Sequence, residues 1–208
     1  MIEPAKFALF IGVSWALILA PGPDMIYVMT RGMAHGRSAG MLSAIGVVCG
    51  ILVHTTAAAF GLTLLLQTSA FVFLIVKFIG AAYLITLGIK AWRDQRALHL
   101  QTSTSVAKPG VLFWQGVLSN VLNPKIAIFF LAFLPQFVDQ GSSDVTLQMV
   151  VLGTTFACFG LCFLLFVGYS SGALGRWLTA RPQYAKFFQR IASGILIGLG
   201  IRLALTER

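Results

Sequence analysis

The sequence predicts an all-α integral membrane protein: six transmembrane helices forming two inverted three-helix repeats, with the first and fourth helices broken. Three observations lead there. Of the 208 residues, 58% are hydrophobic and 10% charged, against about a quarter charged in a soluble domain. Six stretches are long and apolar enough to cross a bilayer, which takes about 20 residues each. Proline-containing interruptions fall inside the first and the fourth of these stretches. A soluble enzyme is excluded because so few charges cannot wet its surface, and a disordered chain because it would be poor in apolar residues.

The first span covers about 6–30. Lys6 and the apolar run to Ala20 resemble a signal peptide, but Pro21 follows directly and the apolar pattern continues through Met25, Ile26, Tyr27 and Val28, as in a retained helix. The second and third spans cover about 40–66 and 70–91. A polar linker at about 92–111, with Gln101 to Ser105 at its centre, divides the chain. The fourth, fifth and sixth spans cover about 112–137, 146–173 and 187–206. One transmembrane domain, 1–208, therefore holds repeat one (about 6–91) and repeat two (about 112–206).

Charge sets the expected orientation. Arg31 and Arg37 fall in the loop 31–39, Lys90, Arg93, Arg96 and Lys108 about the linker, and Arg176, Arg181, Lys186 and Arg190 in or beside the loop 174–186. The other two connections, Gln67 to Ser69 and Asp139 to Asp144, carry no base. Lys/Arg-rich short loops stay in the cytoplasm, so these three loops are expected inside and both termini outside. The net charge of +9 then reports topology and contact with anionic lipid headgroups, and no nucleic-acid partner is expected.

The halves resemble each other. Leu84-Ile85-Thr86-Leu87-Gly88-Ile89-Lys90 matches Leu196-Ile197-Gly198-Leu199-Gly200-Ile201-Arg202. Pro21-Gly22-Pro23-Asp24 breaks the first span and Asn123-Pro124-Lys125 the fourth, and aligning Pro23 with Pro124 sets Asp24 opposite Lys125. An odd number of helices per repeat inverts the second copy. Inverted repeats with interrupted helices at matching places point to the binding site of a secondary transporter.

Those breaks hold the chemistry. A proline inside a helix frees backbone groups, which lipid tolerates only beside protein or a water-filled cavity. A charge at bilayer depth costs about 2.5–3.5 kcal/mol on insertion scales, so Asp24 needs a partner or a purpose. Two readings of Asp24 and Lys125 stand: a structural ion pair, or two charges facing a cavity and dividing a zwitterion. In the second, Asp24 takes an ammonium group, Lys125 and the amides after Pro124 take a carboxylate, and Asn120 and Asn123 add oriented donors and acceptors. Asp24 and His54 are the candidates for carrying a coupling proton, with helix packing the alternative for His54. Lys77 reads as an interfacial or structural charge. Cys49, Cys158 and Cys162 read as small packing residues, with no metal-site spacing. Gly36/Gly40, Gly46/Gly50, Gly168/Gly172 and Gly194/Gly198 are spaced for close helix approach, within the bundle or in a homodimer. No phosphate loop, zinc-protease helix or nucleophile elbow occurs, so no enzyme is expected.

Ala20-Pro21-Gly22-Pro23-Asp24-Met25 with Arg31-Gly32, Gly50-Ile51-Leu52-Val53-His54, Gly80-Ala81-Ala82-Tyr83-Leu84 and Leu87-Gly88 resemble the LysE/RhtB amino-acid exporters of bacterial cytoplasmic membranes. So do Asn120, Asn123-Pro124-Lys125, Phe133-Leu134-Pro135-Gln136-Phe137 and Gly194 to Arg202. The resemblance spans essentially the whole chain. It implies efflux of small neutral amino acids or derivatives, of the homoserine/threonine/leucine branch rather than the lysine branch, by proton antiport without a cofactor. It places the substrate region on Pro21, Gly22, Pro23, Asp24, Asn120, Asn123, Pro124 and Lys125. The alternatives are an exporter of metal or other small inorganic ions, which would call for more acidic or histidine ligands, and a membrane redox carrier, which would call for cysteines at the breaks.

Overall fold

Proline sets most of the helix starts. Pro4, Pro23, Pro109, Pro124 and Pro182 each open a helix, where the missing N–H would have had no intrahelical partner. The computed structural model describes residues 2–62, 70–93, 108–139, 142 and 144–205. Its elements are α1 (Pro4–Leu19), α2 (Pro23–His35), α3 (Arg37–Ala57, continued by the π-helical Ala58–Leu62), α4 (Ala70–Arg93) and α5 (Pro109–Val121). They are followed by α6 (Pro124–Ile128, continued by the π-helical Phe129–Phe133 and the 3-10 turn Leu134–Phe137), α7 (Val145–Ala180) and α8 (Pro182–Leu205). No strand occurs among the described residues.

The breaks behave alike. α1 and α2 meet at 49°, and α5 meets the continued α6 at 47°, and in both the second arm starts on proline. Arg37–Gly61 and Val145–Trp177 are long and apolar enough to cross a membrane alone, and each bent pair is so when taken as one span. The 36 residues of α7 reach about 54 Å at 1.5 Å per residue, well past a hydrocarbon core of about 30 Å.

Two expected loops are almost absent. Residues 31–39 are helix except for Gly36, whose φ of 89° turns the chain in one residue, a conformation glycine reaches without a Cβ penalty. Residues 174–186 are helix except for Arg181, because Pro182 cannot continue α7 but can begin α8. The bases expected in those loops therefore sit on or beside helix ends, Arg181 between the two helices. The connection 67–69 and the linker core 94–107 lie outside the described residues.

Small residues decide the packing. A methyl on Gly40 would lie 2.8 Å from the Gly168 carbonyl, and one on Gly153 would strike Thr55, so α3 and α7 run antiparallel at backbone contact. Gly116 lies against Ser43 and Gly50 against Asn120, so α3 and α5 run the same way. These directions gather Arg31, Arg37, Lys108 and Arg176 at one end of the bundle. There Arg31 donates to Gln115 at 3.0 Å, and the Arg37 guanidinium lies 4.6 Å from the Tyr169 ring centroid.

α4 and α8 form an antiparallel pair whose contacts are reciprocal. A methyl on Gly88 would lie 2.6 Å from Ile197 and 2.9 Å from the Ser193 carbonyl; one on Gly200 would lie 2.7 Å from Ile85 and 2.9 Å from the Ala81 carbonyl. The offset that carries Leu84 onto Leu196 carries Gly88 onto Gly200, Ile85 onto Ile197 and Ala81 onto Ser193. Each half of the contact is thus the other half under a local two-fold rotation. Not every expected packing residue packs. Cys158 and Cys162 are exposed, and Gly194 and Gly198 face open space. Lys77 is buried with its ammonium 5.4 Å from the Phe78 ring centroid, as the structural reading of that charge expects.

Candidate functional site

The polar centre lies where the two breaks meet. Asn123 is the N-cap of α6: its Oδ1 accepts from the Lys125 backbone N–H at 3.0 Å, the preferred role of asparagine before a first-turn proline. That bond leaves the amide Nδ2 as the outward donor, and it donates to Asp24 Oδ2 at 2.8 Å. Asn120, fully buried near the end of α5, donates its Nδ2 to the same oxygen at 2.8 Å. Asp24 Oδ2 is therefore doubly satisfied, while Asp24 Oδ1 is buried with no hydrogen-bond partner among the described residues.

Lys125 does not pair with Asp24. Its Nζ donates to the Ala20 carbonyl at 2.7 Å, an orphan acceptor at the C-terminus of α1, where a cation also meets the negative end of the helix dipole. The stem crosses Gly22, where a methyl would sit 3.3 Å from Nζ and 3.6 Å from Cδ. The breaks are thus clasped crosswise: the second supplies donors to Asp24 after the first, and Lys125 to the carbonyl before it.

Beside this centre lies a cavity of about 40 Å³, room for about three waters. Gly22, Asp24, Asn123 and Lys125 form its polar side, and Leu17, Ile18, Met25, Ile51, Phe156, Phe163 and Leu164 much of its apolar side. Of the residues singled out in the sequence, those four line it. Asn120 stands behind Asp24, and Pro21, Pro23 and Pro124 shape the backbone without lining the space. His54 reaches the centre indirectly, with its Nε2 3.1 Å from the Asn120 carbonyl and its ring 5.9 Å from that of Phe130. The apolar wall and the Ala20 carbonyl had no signal in the sequence beyond hydrophobicity. Among the described residues no group of three or more His, Cys, Asp or Glu could hold a metal.

Apolar helices around a buried polar centre, built where two bent helices interrupt, define a multi-pass membrane protein. The chain belongs to the LysE type translocator family, which matches it over residues 15–207. Members of that family are transporters rather than enzymes. The chain is 32% identical over 191 residues to an uncharacterized membrane protein of Vibrio cholerae, covering 91% of each chain. It is 29% identical over 194 residues to a leucine efflux protein of Klebsiella pneumoniae, covering 92% of this chain and 91% of that one. A leucine efflux protein of an Enterobacter species is 27% identical over 200 residues, covering 96% of this chain and 95% of its own. No solved structure matches the chain significantly.

Proposed function

We propose that the protein exports small neutral amino acids, with leucine-like side chains foremost, from the bacterial cytoplasm across the inner membrane by proton antiport. The observation that carries this reading is the state of Asp24: one carboxylate oxygen held by two amides, the other buried and unpartnered among the described residues beside a cavity with an apolar wall. That oxygen is a seat for one donor. A substrate ammonium and a proton compete for it, so Asp24 carries one outward and the other inward, and exchange follows from mutual exclusion. Lys125, whose ammonium has two further N–H groups, receives the carboxylate, and Leu17, Ile51, Phe156 and Leu164 receive the side chain. The cavity must widen to admit the substrate, in the opening step that alternating access requires.

The six-span inverted repeat belongs to the same proposal. It is supported by the matched bends, by the reciprocal Gly88 and Gly200 contacts and by the basic residues gathered at one end, which the charge rule assigns to the cytoplasm with both termini outside. The test is uptake into proteoliposomes holding purified protein. A pH gradient should drive leucine against its concentration, and Asp24→Asn should lose this uphill phase while remaining folded, since asparagine still offers an oxygen to Asn120 and Asn123. Retained uphill transport in Asp24→Asn removes the coupling role, and absence of any leucine exchange in the wild type removes the substrate class.

A further inference from the structure

Asn120 touches the centre through the rotamer that aims its amide at Asp24. Two residues of α3 lie against it, one turn apart on the same face. Gly50 lies under the Asn120 side chain: a methyl there would come within 2.7 Å of Asn120 Cβ and 2.9 Å of its Oδ1. His54 holds the Asn120 backbone, its Nε2 lying 3.1 Å from the carbonyl oxygen. A carbonyl only accepts, so Nε2 carries the hydrogen, and this fixes the tautomer. The same carbonyl accepts from the Asn123 backbone N–H at 2.9 Å, so His54 adds a second donor to it, and the ring is backed by Phe130. Asn120 Oδ1 has no hydrogen-bond partner among the described residues and lies on the Gly50 side, 2.9 Å from where a methyl there would sit, with Nδ2 facing Asp24.

We propose that Gly50 and His54 form a saddle that positions Asn120 on Asp24, and that His54 acts as a positioning residue rather than as the carrier of the transported proton. This rests on Asp24 being the working group of the exporter proposed above. It gives the Gly-x-x-x-His spacing of α3 a definite role, in which glycine makes room for the amide and histidine one turn later holds its main chain.

The test is infrared spectroscopy of the purified full-length protein, with the Asp24 carboxyl band identified by its loss in Asp24→Asn. Asn120→Ala removes one of the two donors and sets the reference shift. His54→Leu, which removes the N–H, should shift the band in the direction of Asn120→Ala. His54→Gln, which keeps an N–H donor and cannot titrate, should leave the band at the wild-type position. Gly50→Ala should shift it as His54→Leu does; if that variant does not fold, the two His54 variants decide the matter. A wild-type band in His54→Leu overturns the proposal. So does a His54→Gln protein that exchanges leucine but no longer accumulates it under a pH gradient, because the histidine would then carry the proton. The band is read without substrate, so a chain that carries no leucine leaves this test intact.

Discussion

Replacing Lys125 by methionine separates stability from recognition. Methionine follows a similar path over Gly22 and fills most of the volume, so the change removes mainly the charge and its N–H groups. The Ala20 carbonyl loses a charge-assisted hydrogen bond of 2.7 Å, a loss of about 1.5–3 kcal/mol. Against that, the burial cost of an ammonium that is only 7% exposed disappears, and such costs are several kcal/mol per ion. The two effects nearly cancel, so the melting temperature should move by only a few degrees. Recognition has no such offset. A substrate carboxylate that loses its cation loses about 1.5–3 kcal/mol, or about 10- to 100-fold in affinity. The assay is titration of purified protein with leucine and with leucine amide, which has no carboxylate. Wild type should prefer leucine, and Lys125→Met should bind the two about equally by weakening leucine alone. An unchanged preference refutes the carboxylate role. A large fall in melting temperature with the preference intact would instead make Lys125 a cap for α1 and nothing more.

Three further outcomes are expected. Gly22→Ala keeps an extended backbone open to any residue and acts only by pushing Lys125, which must yield by a few tenths of an ångström; leucine affinity should fall several-fold in binding titrations with little change in melting temperature. Gly88→Ala and Gly200→Ala meet the same pair of obstacles, so each should destabilise by about 1–3 kcal/mol and by similar amounts in denaturant titrations; a strongly unequal pair counts against the local two-fold. A single cysteine at Ser103 in an otherwise cysteine-free protein should react with an impermeant maleimide only when the cytoplasmic face is exposed, and labelling of intact cells would reverse the proposed orientation.

The two breaks were legible because proline and glycine act locally: Pro21-Gly22-Pro23 and Asn123-Pro124 interrupt helices whatever surrounds them. The burial of Lys125 beside the second break was legible because an ionisable residue stands inside an apolar run. Which groups meet was not. The sequence left a direct Asp24–Lys125 pair and two charges facing a cavity both open, and named Asn120 and Asn123 beside them; the fold gives Asp24 those two amides and Lys125 a main-chain carbonyl that no side-chain pattern records. Loop lengths were overestimated at 31–39 and 174–186 because charged residues mark the membrane surface, while the turn itself depends on one glycine and one proline. That Cys158 and Cys162 are exposed was not legible, because in a helix apolar on all sides the sequence pattern does not assign a face.

The crosswise clasp makes the halves complementary rather than interchangeable. Asp24 and Lys125 both occupy the second position of a helix that opens on proline, yet each is matched by groups from the opposite half. The first half alone lacks the amides that hold Asp24, and the second alone lacks the Ala20 carbonyl that holds Lys125. Divided at the linker, neither fragment could close its own centre, and only the unlike pair would restore it. An acid and a base at the two breaks therefore tie each part of the chain to the other, in one fixed pairing.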